Sequence, residues 1–194
     1  MRTYVFDLVV SGLDLEDGAQ IDHLWSGRIG VTPASRDGVT TVNVDLNAAS
    51  EVAAVEAVMA HMATVPGVAV ERIDLDLVTT TEIGARLGVD RETVRQWATR
   101  PANADSGFPP HFAIIPGGSK PMRVWRWATV HAWAALFRRD LIPSDLPEPL
   151  PPALVDRFNG RVPVGGYRPG GGGLASSLWS WPIETQVSVE KVDV

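Results

Sequence analysis

The sequence contains no cysteine. Disulfides and thiolate metal sites are therefore excluded, and a reducing, cytoplasmic setting is the expectation. No stretch approaches the roughly 20 apolar residues that a membrane span requires. The first ten residues, MRTYVFDLVV, alternate between apolar and polar and read as a strand rather than a signal peptide. No G-x-S-x-G elbow, Gly-rich phosphate loop or paired-carboxylate cluster is present. The four histidines, His23, His61, His111 and His131, lack the spacing of a metal site. Neither an enzyme, a cofactor nor a metal centre is expected.

What is present is ordinary in bulk and uneven in detail. The 194 residues, 45% hydrophobic and 21% charged, suffice for one large domain or two small ones. The net charge of −6 is not spread evenly. Residues 1–78 hold 4 Arg against 12 Asp/Glu, and residues 140–194 hold 4 Lys/Arg against 7 Asp/Glu. Between them, residues 79–139 hold 9 Lys/Arg against 4 Asp/Glu. Positive charge confined to one segment is the pattern of a nucleic-acid footprint, and acidic flanks limit non-specific binding.

Periodicity divides the chain in the same three places. Thr3–Val10 alternates with Tyr4, Phe6, Leu8 and Val10 on one face, and Asp14–Trp25 reads as a helix. Arg28–Thr32 and Val39–Leu46 read as strands joined through Asp37-Gly38, a strong hairpin signal. Ala48–Val65 reads as a helix stopped by Pro66-Gly67, and Val68–Leu77 alternates as a fourth strand running straight into Thr79. The order β-α-β-β-α-β is that of a ferredoxin-like sandwich over residues 1–78. That fold hosts many activities, so homodimerisation and ligand sensing both stay open for it.

In the basic segment, Thr79, Thr80 and Thr81 are candidate N-caps for a first helix carrying Ile83 and Leu87 on one face. Gly88-Val89 breaks it, Asp90 caps a second helix, and Val94 and Trp97 give that helix its inward face. Arg91, Glu92, Arg95, Gln96, Thr99 and Arg100 are left outside. Two helices crossing at a Gly-containing turn, the second with an Arg- and Gln-rich outer face, make a helix-turn-helix. A Gly107-Phe108-Pro109 loop follows, then a hairpin over Phe112–Trp125 with basic residues at its tip and return strand. Trp127 to Phe137 closes the unit with helical apolar spacing.

This ordered set, Glu82-Ile83, Leu87-Gly88-Val89, Thr93-Val94 with Trp97, Gly107-Phe108-Pro109, Gly118, Arg123-Val124-Trp125 and Val130 with Trp133, resembles the winged-helix domain of phage excisionases and AlpA-like regulators. These are cousins of the MerR-type DNA-binding domain. The resemblance spans residues 79–139 and implies a winged helix-turn-helix binding double-stranded DNA. The chain departs from MerR-type regulators at Leu141-Ile142-Pro143, where those proteins continue into a long dimerisation helix.

Arg95 and Gln96 occupy the middle of the outer face, where Arg can bridge guanine O6 and N7 and Gln can pair with adenine. Arg91, Thr93 and Arg100 are expected at phosphates, with Thr81 and Thr99 at the edges of the same surface. Glu92 is the acidic exception, suited to a cytosine amino group or to the helix dipole. Lys120 and Arg123 would serve the wing. Residues 140–194, with 8 of 15 prolines and 7 of 18 glycines, read as an extended tail. Within it Leu178, Trp179 and Trp181 are candidates for a protein partner, or for contacts with the chain's own body. The expected class is α+β, and the expected function is a sequence-specific regulator of transcription. The alternatives are an excisionase-like architectural factor and a protein-interaction module such as an antitoxin or accessory subunit.

Overall fold

A computed structural model describes residues 1–99, 107–117 and 121–162. Those residues form a mixed α+β structure with two antiparallel sheets and six α-helices. The first sheet contains β1 (Arg2–Ser11), β2 (Gly30–Arg36), β3 (Val39–Ala48) and β4 (Ala69–Ile73) in the spatial order β2-β3-β1-β4, every pair antiparallel. Helix α1 (Gly18–Trp25) connects β1 to β2, and α2 (Glu51–Met62) connects β3 to β4. Alternation sets the register. Phe6 lies opposite Val44 and Leu8 opposite Val42, and this face is buried in one cluster with Leu24 of α1 and Val55, Val58 and Met59 of α2. Asp37 and Gly38 close the β2–β3 hairpin with φ of 52° and 78°, the hand of turn that matches the twist of the strands. Helix α1 starts later than the periodicity of Asp14–Trp25 suggests, because the Asp17 carboxylate accepts from the N–H groups of Ala19 and Gln20 and defines the first turn there.

The segment Val68–Leu77 is not one strand, as its alternation suggests. Pairing with β1 ends at Ile73, and Asp76 adopts φ of 45°, which breaks the extended run. Leu77–Val78 (β5) then pairs with a different sheet. That sheet, in the order β5-β7-β6, is completed by β6 (Ala113–Ile115) and β7 (Met122–Arg126). With α3 (Thr80–Leu87), α4 (Arg91–Thr99) and α5 (Trp127–Phe137) it encloses a second core.

Residues 140–162 also differ from the extended tail expected of them. After a short 3-10 turn the chain runs back along the first unit, where the Glu148 N–H donates to the carbonyl of Thr3 at 2.9 Å. It then forms α6 (Pro152–Asn159), whose Val155 and Phe158, with Leu150 ahead of them, join the first core. Proline at the first helical position removes only an N–H that has no intrahelical partner, so the proline-rich run starts this helix rather than preventing it. Among the described residues, no helix is long and apolar enough to cross a membrane.

Asn159 at the end of α6 completes the open edge of β4. The Ile73 N–H donates to its Oδ1 at 2.8 Å, and its Nδ2 donates to the Ile73 carbonyl at 2.9 Å. Ile73 is fully buried, so water cannot take over these bonds. Asn159→Ala is therefore expected to cost about 1–3 kcal/mol in urea unfolding, and Asn159→Asp, which keeps the acceptor and loses the donor, an intermediate amount.

Candidate nucleic-acid interface

The basic segment is built outward from its first helix. Thr79 caps α3 reciprocally: its N–H donates to Glu82 Oε2 at 2.7 Å, and the Glu82 N–H donates to its hydroxyl oxygen at 3.4 Å. Thr79 is thus the cap among the three candidate threonines, and Thr81 is exposed on the first turn. Ile83 and Leu87 point into the core, and Gly88 ends the helix with φ of 66°. The turn is tight because of Gly84. Its carbonyl accepts the Val89 N–H at 2.9 Å, and a Cβ there would lie 2.6 Å from the Val89 carbonyl oxygen. Gly84 has no signal in periodicity; its need for a bare backbone emerges only when the turn closes over it.

Asp90 caps α4. The Thr93 N–H donates to Asp90 Oδ1 at 2.7 Å and the Thr93 hydroxyl to Oδ2 at 3.1 Å. Thr93, expected at a phosphate, is half-buried with its donors directed at the cap. These bonds, the backbone N–H first, hold the Asp90 carboxyl below its usual range; the Thr79 N–H does the same to Glu82. Val94 and Trp97 anchor the helix, being fully and almost fully buried. Opposite them Arg91, Glu92, Arg95, Gln96 and Thr99 are all exposed on one face. The Thr99 hydroxyl donates back to the carbonyls of Arg95 and Gln96 at 3.0 and 3.2 Å, which closes the last turn.

Within that face two side chains are already paired. Arg95 Nε donates to Glu92 Oε2 and Nη2 to Oε1, each at 2.8 Å. Glu92, the acidic exception on this face, is thus a partner of Arg95, and the i,i+3 spacing of the two was the available signal. Arg91 forms no ion pair among the described residues. Neither does Arg123, which is exposed on β7 opposite Ile114. Arg100, Lys120, Leu178, Trp179 and Trp181 lie outside the described residues, as does Gly118.

The tryptophans of residues 79–139 are interior. Trp97, Trp125, Trp127 and Trp133 are each at most 8% exposed. Phe108, from the Gly-Phe-Pro loop, sits among three of them: its ring centroid is 4.9 Å from Trp133, 5.8 Å from Trp125 and 6.2 Å from Trp97. Trp125 Nε1 donates to the Pro109 carbonyl at 3.0 Å, so the loop is fixed to β7. The hairpin beyond is apolar at its surface, with Phe112, Ile114, Ile115 and Met122 exposed. The arrangement presents one polar helix face on an aromatic base.

Comparison with protein-family models, curated proteins and solved structures finds no match to the chain.

Two outcomes check this geometry. Gly84→Ala should lower stability by about 1–3 kcal/mol through overpacking against the turn. The two depressed carboxyls contribute stability that is complete above their unfolded values near 4 and lost as pH falls through the lower folded values. Asp90→Asn with Glu82→Gln preserves both caps without titrating, so its urea midpoint should fall less than the wild type's between about pH 5 and pH 2.

Proposed function

We propose that this chain is a sequence-specific double-stranded DNA-binding protein, a bacterial or phage-type transcriptional regulator acting in the cytoplasm. In this reading α3 and α4 are a helix-turn-helix, β6 and β7 its wing, and α4 enters the major groove. The observation that carries it is the α4 face itself, with Arg91, Glu92, Arg95, Gln96 and Thr99 exposed together while Val94 and Trp97 lock the helix to its base. The excisionase-like order of elements and the positive charge of residues 79–139 support it. The first unit is in this reading a ferredoxin-like sandwich: strand order β2-β3-β1-β4 with two helices on one face is what a split βαβ unit requires. Its role as a homodimer contact or a sensor belongs to the same proposal.

A second reading, a protein-interaction module, draws on the exposed Phe112, Ile114, Ile115 and Met122 of the hairpin, since clustered apolar surface marks contacts with proteins.

Fluorescence anisotropy with the gene's own upstream duplex and a scrambled duplex, from about 50 to 200 mM salt, separates the two. The expected result is a preference for the upstream duplex that persists at the higher salt. Arg95→Ala with Gln96→Ala should weaken that binding by about 1–3 kcal/mol for each base pairing removed and leave scrambled-duplex binding nearly unchanged. Equal, salt-fragile binding to both duplexes would point to an architectural factor. No binding to either at low salt would rule out DNA as the ligand of this face.

A further inference from the structure

We infer that Glu92 and Arg95 act as one reading unit: Glu92 grips one edge of the Arg95 guanidinium and leaves the other edge for a guanine. This inference rests on the DNA-binding reading of α4 and names what its central residue recognises.

The geometry is specific about which donors are used. Glu92 takes the Nε and Nη2 hydrogens, both at 2.8 Å, in a bidentate grip. A guanidinium has five N–H donors in a fixed plane. With one edge taken, Nη1 and the remaining hydrogen of Nη2 form a second parallel pair. That pair matches the O6 and N7 acceptors of guanine in the major groove. The carboxylate therefore restricts how the guanidinium can be presented, and it does so from the same helix, one turn away.

The pairing also changes what Arg95 contributes to non-specific attraction. An unpaired arginine can turn to any phosphate and strengthens binding to every sequence alike. A paired one brings no net charge, and its carboxylate repels the backbone. Withdrawing one cation from the phosphates in this way flattens the salt dependence and lowers affinity for random DNA, while the guanine pairing is retained. Glu92 is not needed to neutralise the start of α4, because Asp90 already accepts from the first turn there. The Arg95 hydrogen bond holds the Glu92 carboxyl below its usual range, so the grip persists near neutral pH.

The test uses the full-length chain as wild type, Glu92→Gln and Arg95→Ala, in selection from a randomised duplex followed by anisotropy on selected and scrambled duplexes. Wild type should select a guanine at one position, and Arg95→Ala should lose that preference. Glu92→Gln removes the charge and keeps the shape. It should bind scrambled duplex about tenfold more tightly, with a log–log salt slope steeper by about 0.9, the value of one added phosphate neutralised. Its guanine preference should fall about tenfold. Both side chains are exposed, so thermal unfolding should be nearly unchanged and a folding defect is separable.

If Glu92→Gln keeps the guanine preference and the wild-type slope, the inference is overturned while DNA reading by Arg95 stands. If it instead loses a cytosine at a second position, Glu92 reads a base itself and the inference is likewise overturned. If wild type selects no sequence, the DNA reading fails, and this inference fails with it.

Discussion

The structure turns on Asp76. Its backbone, at φ of 45°, redirects the chain from the edge of the first sheet into the second, within three residues of the end of β4. Its carbonyl accepts the Trp127 N–H at 2.9 Å, and its carboxylate takes both terminal nitrogens of Arg86 at 2.7 and 2.8 Å. Arg86 in turn lies 4.9 Å over the Trp127 ring. One residue thus fixes β5, the start of α5 and the outer side of α3 against one another. A non-glycine residue at positive φ costs on the order of 1 kcal/mol, which a bidentate charge-assisted contact is large enough to offset. The orientation of α4 depends on α3, so the candidate reading face inherits its position from this bend.

A second contact fixes the far side. Arg126, where β7 meets α5, is mostly buried, its guanidinium 4.5 Å over the Phe112 ring and bound to Asp156 of α6 at 2.8 Å. Helix α6 is also part of the first core through Val155 and Phe158. The chain therefore leaves the first unit at Asp76, builds the second, and returns to the first, with an ion pair at each crossing. Arg126 Nε has no hydrogen-bond partner while buried. Such a contact is weak as a source of net stability but costly to break, because truncating Asp156 would strand a buried charge. Its effect is to hold the hairpin in one orientation.

Local periodicity made much of this legible. The alternation of Tyr4, Phe6, Leu8 and Val10, the spacing of Ile83 with Leu87 and of Val94 with Trp97, and the Asp37-Gly38 turn each report a face or a bend through neighbouring residues; the first three fall inside elements so read, and the turn lies between β2 and β3. What was hidden depends on partners far along the chain. Nothing near Asp76 announces positive φ, since its stabilising partners are Arg86 and Trp127. The pairing of Asn159 with Ile73 spans 86 residues. Helix α6 was obscured by averaging: across residues 140–194 proline and glycine dominate, while Leu154, Val155 and Phe158 alone keep helical spacing. In the candidate interface, the exposed face of α4 followed from the anchoring of Val94 and Trp97. The Glu92–Arg95 grip showed only as opposite charges at i,i+3, a spacing that does not say whether the two side chains pair or reach outward separately.

That last distinction governs how the positive segment should behave. Residues 79–139 contain 9 Lys/Arg, a number that suggests strong, indiscriminate attraction to phosphates. Several of these cations are committed inside the molecule: Arg86 to Asp76, Arg126 to Asp156, and Arg138 to Asp140 and the Trp97 ring. Arg95 is held by Glu92. Among the described residues of the segment, Arg91, Arg123 and Arg139 are left without an ion pair. In the proposed reading counterion release scales with phosphates neutralised, so each cation withdrawn into an ion pair makes the log–log salt slope shallower by about 0.9. In that reading the acidic first unit lowers general attraction to nucleic acid further. Discrimination then has to come from side chains aimed at base edges, and a fixed guanidinium is better suited to that than a free one. In the proposed reading, Arg86, Arg126 and Arg138 hold the molecule's own shape, and Arg95, fixed by Glu92, is left on the surface to read with.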